Sequence, residues 1–339
     1  DGSSPKHFCV DQLSEKSDMS TRQALLAGFV VTIQASTGVY ESCTQPVIEW
    51  LGVDTATGTT GGHHNGFAIT SMGPNSDVYF GASATGNMTY TAPNGGSTVH
   101  ISADAFETNM FVIKTDSAGV PVWLMEVAYA FGNCEERGHS HRCSSAVGVY
   151  DISPFEDSQH IAVMGNFIGN ITFPNGGSGI TLSNPYPEDR SGITRFNAGD
   201  QNAFYNTFVA KVRASDGTVV WATHLAATQP AIRRSMEFGG GATDREGNVL
   251  VVGEGDLKNG YIAKLDGSTG NVLWDMAWNS IDDIFGVGAD QDNSVYFAAE
   301  FLGVDKFFGT LGPYTSANGG ESTSAIAVKL TPAGEPVWV

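Results

Sequence analysis

The chain has 339 residues, 41% hydrophobic and 16% charged, which is enough apolar content for a packed core and excludes global disorder. Acidic residues outnumber basic ones 36 to 17, and the formal charge of −19 has no compensating basic stripe. That balance excludes nucleic acid as a partner and opposes binding to anionic membrane surfaces.

Residues 1–27 read as a tail or tether. The start Asp1-Gly2-Ser3-Ser4 fits the residue pattern left by a cleaved signal peptide, and no apolar run is long enough to span a bilayer. A secreted or cell-surface protein is therefore expected. Ser17–Leu26 fits a short helix capped by Ser17 or Ser20. Cys9 in this tail, Cys43, Cys134 and Cys143 are the four cysteines, an even count that suits disulfides in an oxidising compartment. Cys134 with Cys143, closing a short loop, and Cys9 with Cys43, tying the tail to the first repeat, is the favoured pairing among the three possible.

From residue 28 onward the chain repeats, in five units at about 28–51, 66–127, 146–225, 239–278 and 284–339. The first reads Phe29-Val-Val-Thr-Ile-Gln, then Val47-Ile-Glu-Trp50. The second ends Phe111-Val-Ile-Lys-Thr-Asp-Ser-Ala-Gly-Val-Pro-Val-Trp123, and the third Phe208-Val-Ala-Lys-Val-Arg-Ala-Ser-Asp-Gly-Thr-Val-Val-Trp221. The fourth ends Tyr261-Ile-Ala-Lys-Leu-Asp-Gly-Ser-Thr-Gly-Asn-Val-Leu-Trp274, and the fifth Ile326-Ala-Val-Lys-Leu-Thr-Pro-Ala-Gly-Glu-Pro-Val-Trp338. Each is an apolar strand, a Gly-containing turn and a strand closing on Trp, which is a β-hairpin. A second hairpin precedes it in the later units, as in Ala68–Phe80, Val147–Met164, Gly241–Val252 and Gly286–Phe297.

Two hairpins make four antiparallel strands, the blade of a β-propeller. Stacked blades bury both faces of each sheet, with Trp50, Trp123, Trp221, Trp274 and Trp338 packed between neighbours. The fold class expected is therefore all-β: a propeller of four-stranded antiparallel blades with an incomplete first unit. The partner hairpin for Phe29–Trp50 is expected from chain beyond 339 or, imperfectly, from residues 8–28. Insertions at roughly 84–109, 168–206 and 302–324 separate the two hairpins, and local function is expected on these connections.

The run Phe208-Val-Ala-Lys-Val with Trp221 resembles the secreted bacterial propeller repeats whose strand reads Phe-Val-Ala-Lys-Leu. Leu265-Asp-Gly-Ser-Thr-Gly-Asn-Val-Leu-Trp274 is similar to the tryptophan-docking motif of pyrroloquinoline-quinone-type propellers. That likeness implies a blade-to-blade lock; nothing in the chain matches the family's quinone or calcium ligands residue by residue. Ser117-Ala-Gly119 and Ala333-Gly334 depart from the motif's Thr-Gly.

The chemistry-bearing clusters read as structural. His139 and His141 lie between Cys134 and Cys143, a spacing poor for zinc and better suited to a disulfide loop. Asp290, Asp292 and Asn293 are the calcium candidates, but Asp290-Gln-Asp-Asn lacks the Gly and the distal Glu of a calcium loop, and Asp and Asn also nucleate turns. Lys114, Lys211, Lys264 and Lys329 align and fit snorkelling or edge-protecting roles. The sequons at Asn87 and Asn170 occupy equivalent places, which fits two glycans or a repeat consensus that happens to spell a sequon. No nucleophile elbow, His-Glu-x-x-His or phosphate loop is present.

The expected function is a non-catalytic extracellular structural or interaction protein without a cofactor. Its partners would be subunits of an assembly or matrix, or glycans, met through the insertions. The alternatives are a secreted propeller hydrolase or lyase acting on carbohydrate, with carboxylates on separate blades, and a calcium- or carbohydrate-binding module.

Overall fold

The structure, a computed structural model, describes residues 53–54, 64–72, 77–85, 88–92, 98–101, 108–130, 148–167, 169–175, 179–183, 206–225, 236–255, 259–278, 281 and 283–339. Four four-stranded antiparallel blades follow one another along the chain, numbered here after the repeat units. Blade two runs β2 (His64–Met72), β3 (Asp77–Thr85), β6 (Thr108–Thr115) and β7 (Pro121–Ala130). Between its two hairpins lie β4 (Met88–Thr91) and β5 (Thr98–Ile101), which join β1 (Val53–Asp54) in a small sheet.

Blade three runs β8 (Gly148–Pro154), β9 (His160–Phe167), β12 (Asn206–Arg213) and β13 (Val219–His224), with β10 (Asn170–Phe173) and β11 (Ile180–Ser183) inserted. Blade four has no insertion: β14 (Met236–Thr243), β15 (Val249–Gly255), β16 (Asn259–Leu265) and β17 (Val272–Trp278). Blade five runs β18 (Asp283–Ala289), β19 (Val295–Phe301), β22 (Ser324–Leu330) and β23 (Pro336–Trp338), with the hairpin β20 (Lys306–Phe308) and β21 (Leu311–Tyr314) inserted. The chain is thus the all-β propeller type expected from its repeats, and the first unit, 28–51, lies outside the described residues.

Burial follows from stacking. A strand covered on both faces reads as a continuous apolar run. In β15, Val249, Leu250, Val251 and Val252 are all buried: Val249 and Val251 pack toward blade three, Leu250 and Val252 toward blade five. In β19, Val295, Phe297, Ala299 and Phe301 are buried, whereas the intervening Tyr296, Ala298 and Glu300 are not. Among the described residues, blade five is covered on one face only.

The innermost strands β2, β8, β14 and β18 lie against one another in order. Each carries a bulge at the same place, between Gly66 and Ala68, Val149 and Asp151, Phe238 and Gly240, and Ile284 and Gly286. Bulges add twist and let neighbouring strands approach at an angle. At the closest approach, a Cβ on Gly239 would lie 1.9 Å from the Ile284 carbonyl oxygen, so this crossing tolerates only glycine. Asn166 and Asp151 fasten the same region. The Asn166 Oδ1 accepts from Thr207 Oγ1 and the Phe238 N–H, and the Asp151 carboxylate accepts the Gly241 N–H at 3.0 Å.

Candidate functional site at the blade interfaces and inserted hairpins

In each closing hairpin the lysine pairs directly with the tryptophan: Lys114 with Trp123, Lys211 with Trp221, Lys264 with Trp274, Lys329 with Trp338. Directly opposed residues share a sheet face, and the first three pairs point at the next blade. There, both side chains converge on one backbone carbonyl. Trp123 Nε1 donates to Ala214 O at 3.0 Å, and Lys114 Nζ donates to the same oxygen at 3.1 Å. Trp221 and Lys211 donate to Gly267 O at 3.1 and 2.8 Å. Trp274 donates to Pro332 O at 3.0 Å, with Lys264 at 3.5 Å.

The acceptor is always the third residue after the next unit's lysine. Sequence reading missed these carbonyls because backbone groups carry no residue signal; the constant offset from the lysine was the available clue. The indole then covers the turn glycine. A Cβ on Gly217, Gly270 or Gly334 would lie within 3.1 Å of the ring of Trp123, Trp221 or Trp274, and all three glycines have positive φ.

The lysines are held from their own blade as well, and Lys114 and Lys264 are buried rather than snorkelling. Lys114 Nζ lies 2.8 Å from Asp77, Lys264 Nζ 2.8 Å from Asp244, and Lys329 Nζ 3.6 Å from Asp290. In blade three the corresponding turn begins with Phe155, and Lys211 sits over its ring at 4.3 Å. The Lys264–Asp244 pair is the most enclosed, with side chains 4% and 0% exposed. Burial pulls the Lys114 ammonium down, but its bond to Asp77 and the nearby Tyr79 and Asp77 charges outweigh that and raise its pKa.

The acidic turns are occupied by their own backbone. Asp290 Oδ1 accepts the N–H groups of Asp292 and Ser294, and Oδ2 accepts the Tyr296 hydroxyl. Asn293 sits at φ 59°, and its Oδ1 accepts the Arg245 N–H of the neighbouring blade. Of the five side-chain oxygens that Asp290, Asp292 and Asn293 would offer calcium, the three on Asp290 and Asn293 therefore already have partners, and the arrangement is that of an Asx-type turn. In the fourth unit's turn, side-chain and backbone bonds from Ser268 and Thr269 hold the Asp266 carboxyl down at about 2. Among the described residues, no three His, Cys, Asp or Glu side chains gather to hold a metal.

The insertions at 84–109, 168–206 and 302–324 each contain a β-hairpin, a feature the sequence reading treated as connection. β10 pairs with β7, so the insertion of blade three extends the sheet of blade two beyond its outer edge. The inward residues Ile171, Phe173 and Leu182 are buried with Phe208 in the core between blades two and three. The other face carries Asn170 opposite Ser183, and Thr172 opposite Thr181, with the two threonine hydroxyls 3.0 Å apart. Asn170, the second sequon, is exposed. β4 meets β1 in the same way, and Tyr90 on β4 donates to Gly119 O at 2.9 Å. Burial, then the Asp116 charge, pushes that phenol up to about 12.

Cys9, Cys43, Cys134, Cys143, His139, His141, Asn87 and Trp50 lie outside the described residues. Trp123, Trp221 and Trp274 lie at blade interfaces, and Trp338, on the last strand of blade five, has 44% of its surface exposed.

No protein-family model matches the chain, and no curated protein matches it. Solved structures that resemble it include hydrazine synthase of Kuenenia stuttgartiensis, at 8% identity and a TM-score of 0.38 over 78% of this chain and 62% of that one. Quinohemoprotein alcohol dehydrogenase of Comamonas testosteroni aligns at 12% identity and a TM-score of 0.29, over 81% of this chain and 46% of that one. BamB of Moraxella catarrhalis aligns at 12% and 0.21, over 81% and 76%. The chain thus spans less than two thirds of the first two proteins. Likeness at this level bears on neither activity nor partners.

Proposed function

We propose that this chain is a secreted, non-catalytic propeller scaffold that meets neighbouring subunits, glycans or matrix through its inserted hairpins. The observation that carries the reading is the division of labour within β10–β11. One face anchors Ile171, Phe173 and Leu182 in the blade core, and the other presents Asn170, Thr172, Thr181 and Ser183 as a short polar ladder. Hydroxyl and amide groups held on a rigid sheet lose little freedom on binding and offer both donors and acceptors. The recurring lysines and aspartates fit the same reading, since turns and blade contacts engage them. Extracellular placement rests on the acidic balance and the even cysteine count.

Light scattering and negative-stain microscopy of the purified full-length protein test the proposal, together with a screen of glycans. Assemblies or a glycan complex that are lost in the Thr172→Lys, Thr181→Lys double variant are expected. A monomer that binds no glycan would contradict the reading, and turnover of a carbohydrate would replace it with the enzyme alternative.

A further inference from the structure

The closing hairpins of blades two to five carry a bulge at the same position. The pairing skips Val122 between Pro121 and Trp123, Val220 between Val219 and Trp221, Leu273 between Val272 and Trp274, and Val337 between Pro336 and Trp338. A bulge re-aims the side chain it carries, and here that side chain is a large aliphatic one turned to solvent. Val122 is 52% exposed, Val220 43%, Leu273 52% and Val337 44%. The tryptophans directly after the first three are meanwhile engaged by the next blade. The first unit departs from the pattern, with Glu49 at this place.

The bulges are linked from blade to blade. The half-buried Trp123 ring lies over Gly217, three residues before Val220, and the half-buried Trp221 ring over Gly270, three residues before Leu273. Aliphatic and indole carbons therefore alternate along one belt across blades two, three and four. Single exposed aliphatics are ordinary on a protein surface, whereas a contiguous run of them marks a contact surface. The turns beside the belt carry Asp116, Asp216 and Asp266, each accepting N–H groups of its own hairpin. Among the described residues of these three hairpins the one exposed cation is Arg213, paired with Asp216 at 2.9 Å.

We infer that this belt docks a basic amphipathic helix of a partner protein, with apolar residues seven apart on Val122, Val220 and Leu273 and with Lys and Arg over the acidic turns. Charge selects against other occupants. The acidic turns and the net charge of −19 repel a second copy of this chain and an anionic bilayer, and attract a cationic segment. Spacing selects the helix. Sheets packed face to face stand about 10 Å apart, and residues seven apart on an α-helix are separated by about 10.5 Å. Side chains on one face of an extended strand recur about every 7 Å and fall out of step. An amphipathic helix laid on an apolar surface is an established mode of recognition. β10 joins β7 at Ala128–Ala130, the opposite end of that strand from Val122, so the belt is separate from the polar ladder of β10–β11.

The test uses a fluorescently labelled synthetic peptide, three copies of Leu-Lys-Lys-Leu-Leu-Lys-Leu, titrated with the full-length protein and followed by anisotropy. Saturable one-to-one binding is expected, weakened about tenfold or more in the triple variant Val122→Ser, Val220→Ser, Leu273→Ser. The Thr172→Lys, Thr181→Lys variant should bind the peptide as the parent does, and a scrambled peptide of the same composition should bind about tenfold more weakly. Equal binding by the triple variant, or equal binding of the scrambled peptide, would overturn the inference, because charge alone would then account for the attraction. Hydrogen exchange on the parent protein is the check that needs no variant. The peptide should slow amides in residues 116–122, 215–220 and 266–273. Protection confined to the inserted hairpins, or protection of alternate amides along β13 or β17 as in strand addition, would contradict the assignment. Self-association of the parent that the triple variant abolishes would give the belt to a second copy and overturn it as well.

Discussion

At the residue scale, a turn glycine does two jobs at each blade interface: it adopts positive φ, and it leaves room for an indole. Gly270→Ala brings both penalties at once, since φ is +75° and the new methyl would stand 2.8 Å from Trp221. A destabilisation of about 1–3 kcal/mol is expected, measured by urea unfolding. Charge shows the same dependence on place. Lys264→Ala leaves the buried Asp244 carboxylate without its cation and should cost about 3–5 kcal/mol. Arg213→Ala removes an ion pair with Asp216 in which both side chains are 48% exposed, and should change stability by less than about 1 kcal/mol. Equal losses for the two would contradict the enclosed lock.

At the element scale, the inserted hairpin β10–β11 is an extension of the sheet of blade two. Phe173→Ala empties a site against Phe208 and should cost about 3–5 kcal/mol, with hydrogen exchange accelerating first in β10 and β11. The sequence showed the four repeated hairpin pairs because their strands are long and end on a fixed Lys–Trp spacing. It did not show β4–β5 or β10–β11 as sheet, since strands of four residues joined by Pro-Asn-Gly-Gly-Ser look like loop until a preformed edge such as β7 accepts them. The site was legible in its side chains, Trp and Lys, and illegible in its acceptors, which are backbone carbonyls.

His224 on β13 adds a pH dependence to blade three. Burial lowers its pKa below the ordinary value of 6.5, where it stacks edge-on to Phe167. A base with a depressed folded pKa takes up its proton more readily in the unfolded chain. Its contribution is therefore fully present above pH 6.5 and is lost as pH falls from there toward the folded value. The urea midpoint should fall between pH 7 and pH 5, and His224→Phe should make that fall shallower.

At the scale of the whole molecule, stability is expected to pass from blade to blade, because each sheet buries its faces only against its neighbours. Weakening one lock should loosen the two blades that share it before the rest. Below pH 4 a second acid transition follows from the carboxylates. The turn aspartates Asp157, Asp216, Asp266 and Asp290 have lowered pKa values, so their contribution is present above the ordinary carboxylate range and lost as pH falls through it, down to about 2 for Asp266. Asp151 opposes this trend: burial raises it, so protonation relieves rather than breaks the site.

The central claim, that blades are joined by indole and lysine donors sharing one backbone carbonyl, is tested most directly by hydrogen exchange at the indole N–H groups. The six tryptophans, labelled with nitrogen-15 and assigned by single Trp→Phe variants, give one resonance each. Slow exchange at Trp123, Trp221 and Trp274, accelerated at Trp123 by Lys114→Ala, is the predicted result. Exchange of those three indoles at the rate of free solvent-exposed tryptophan would contradict the account.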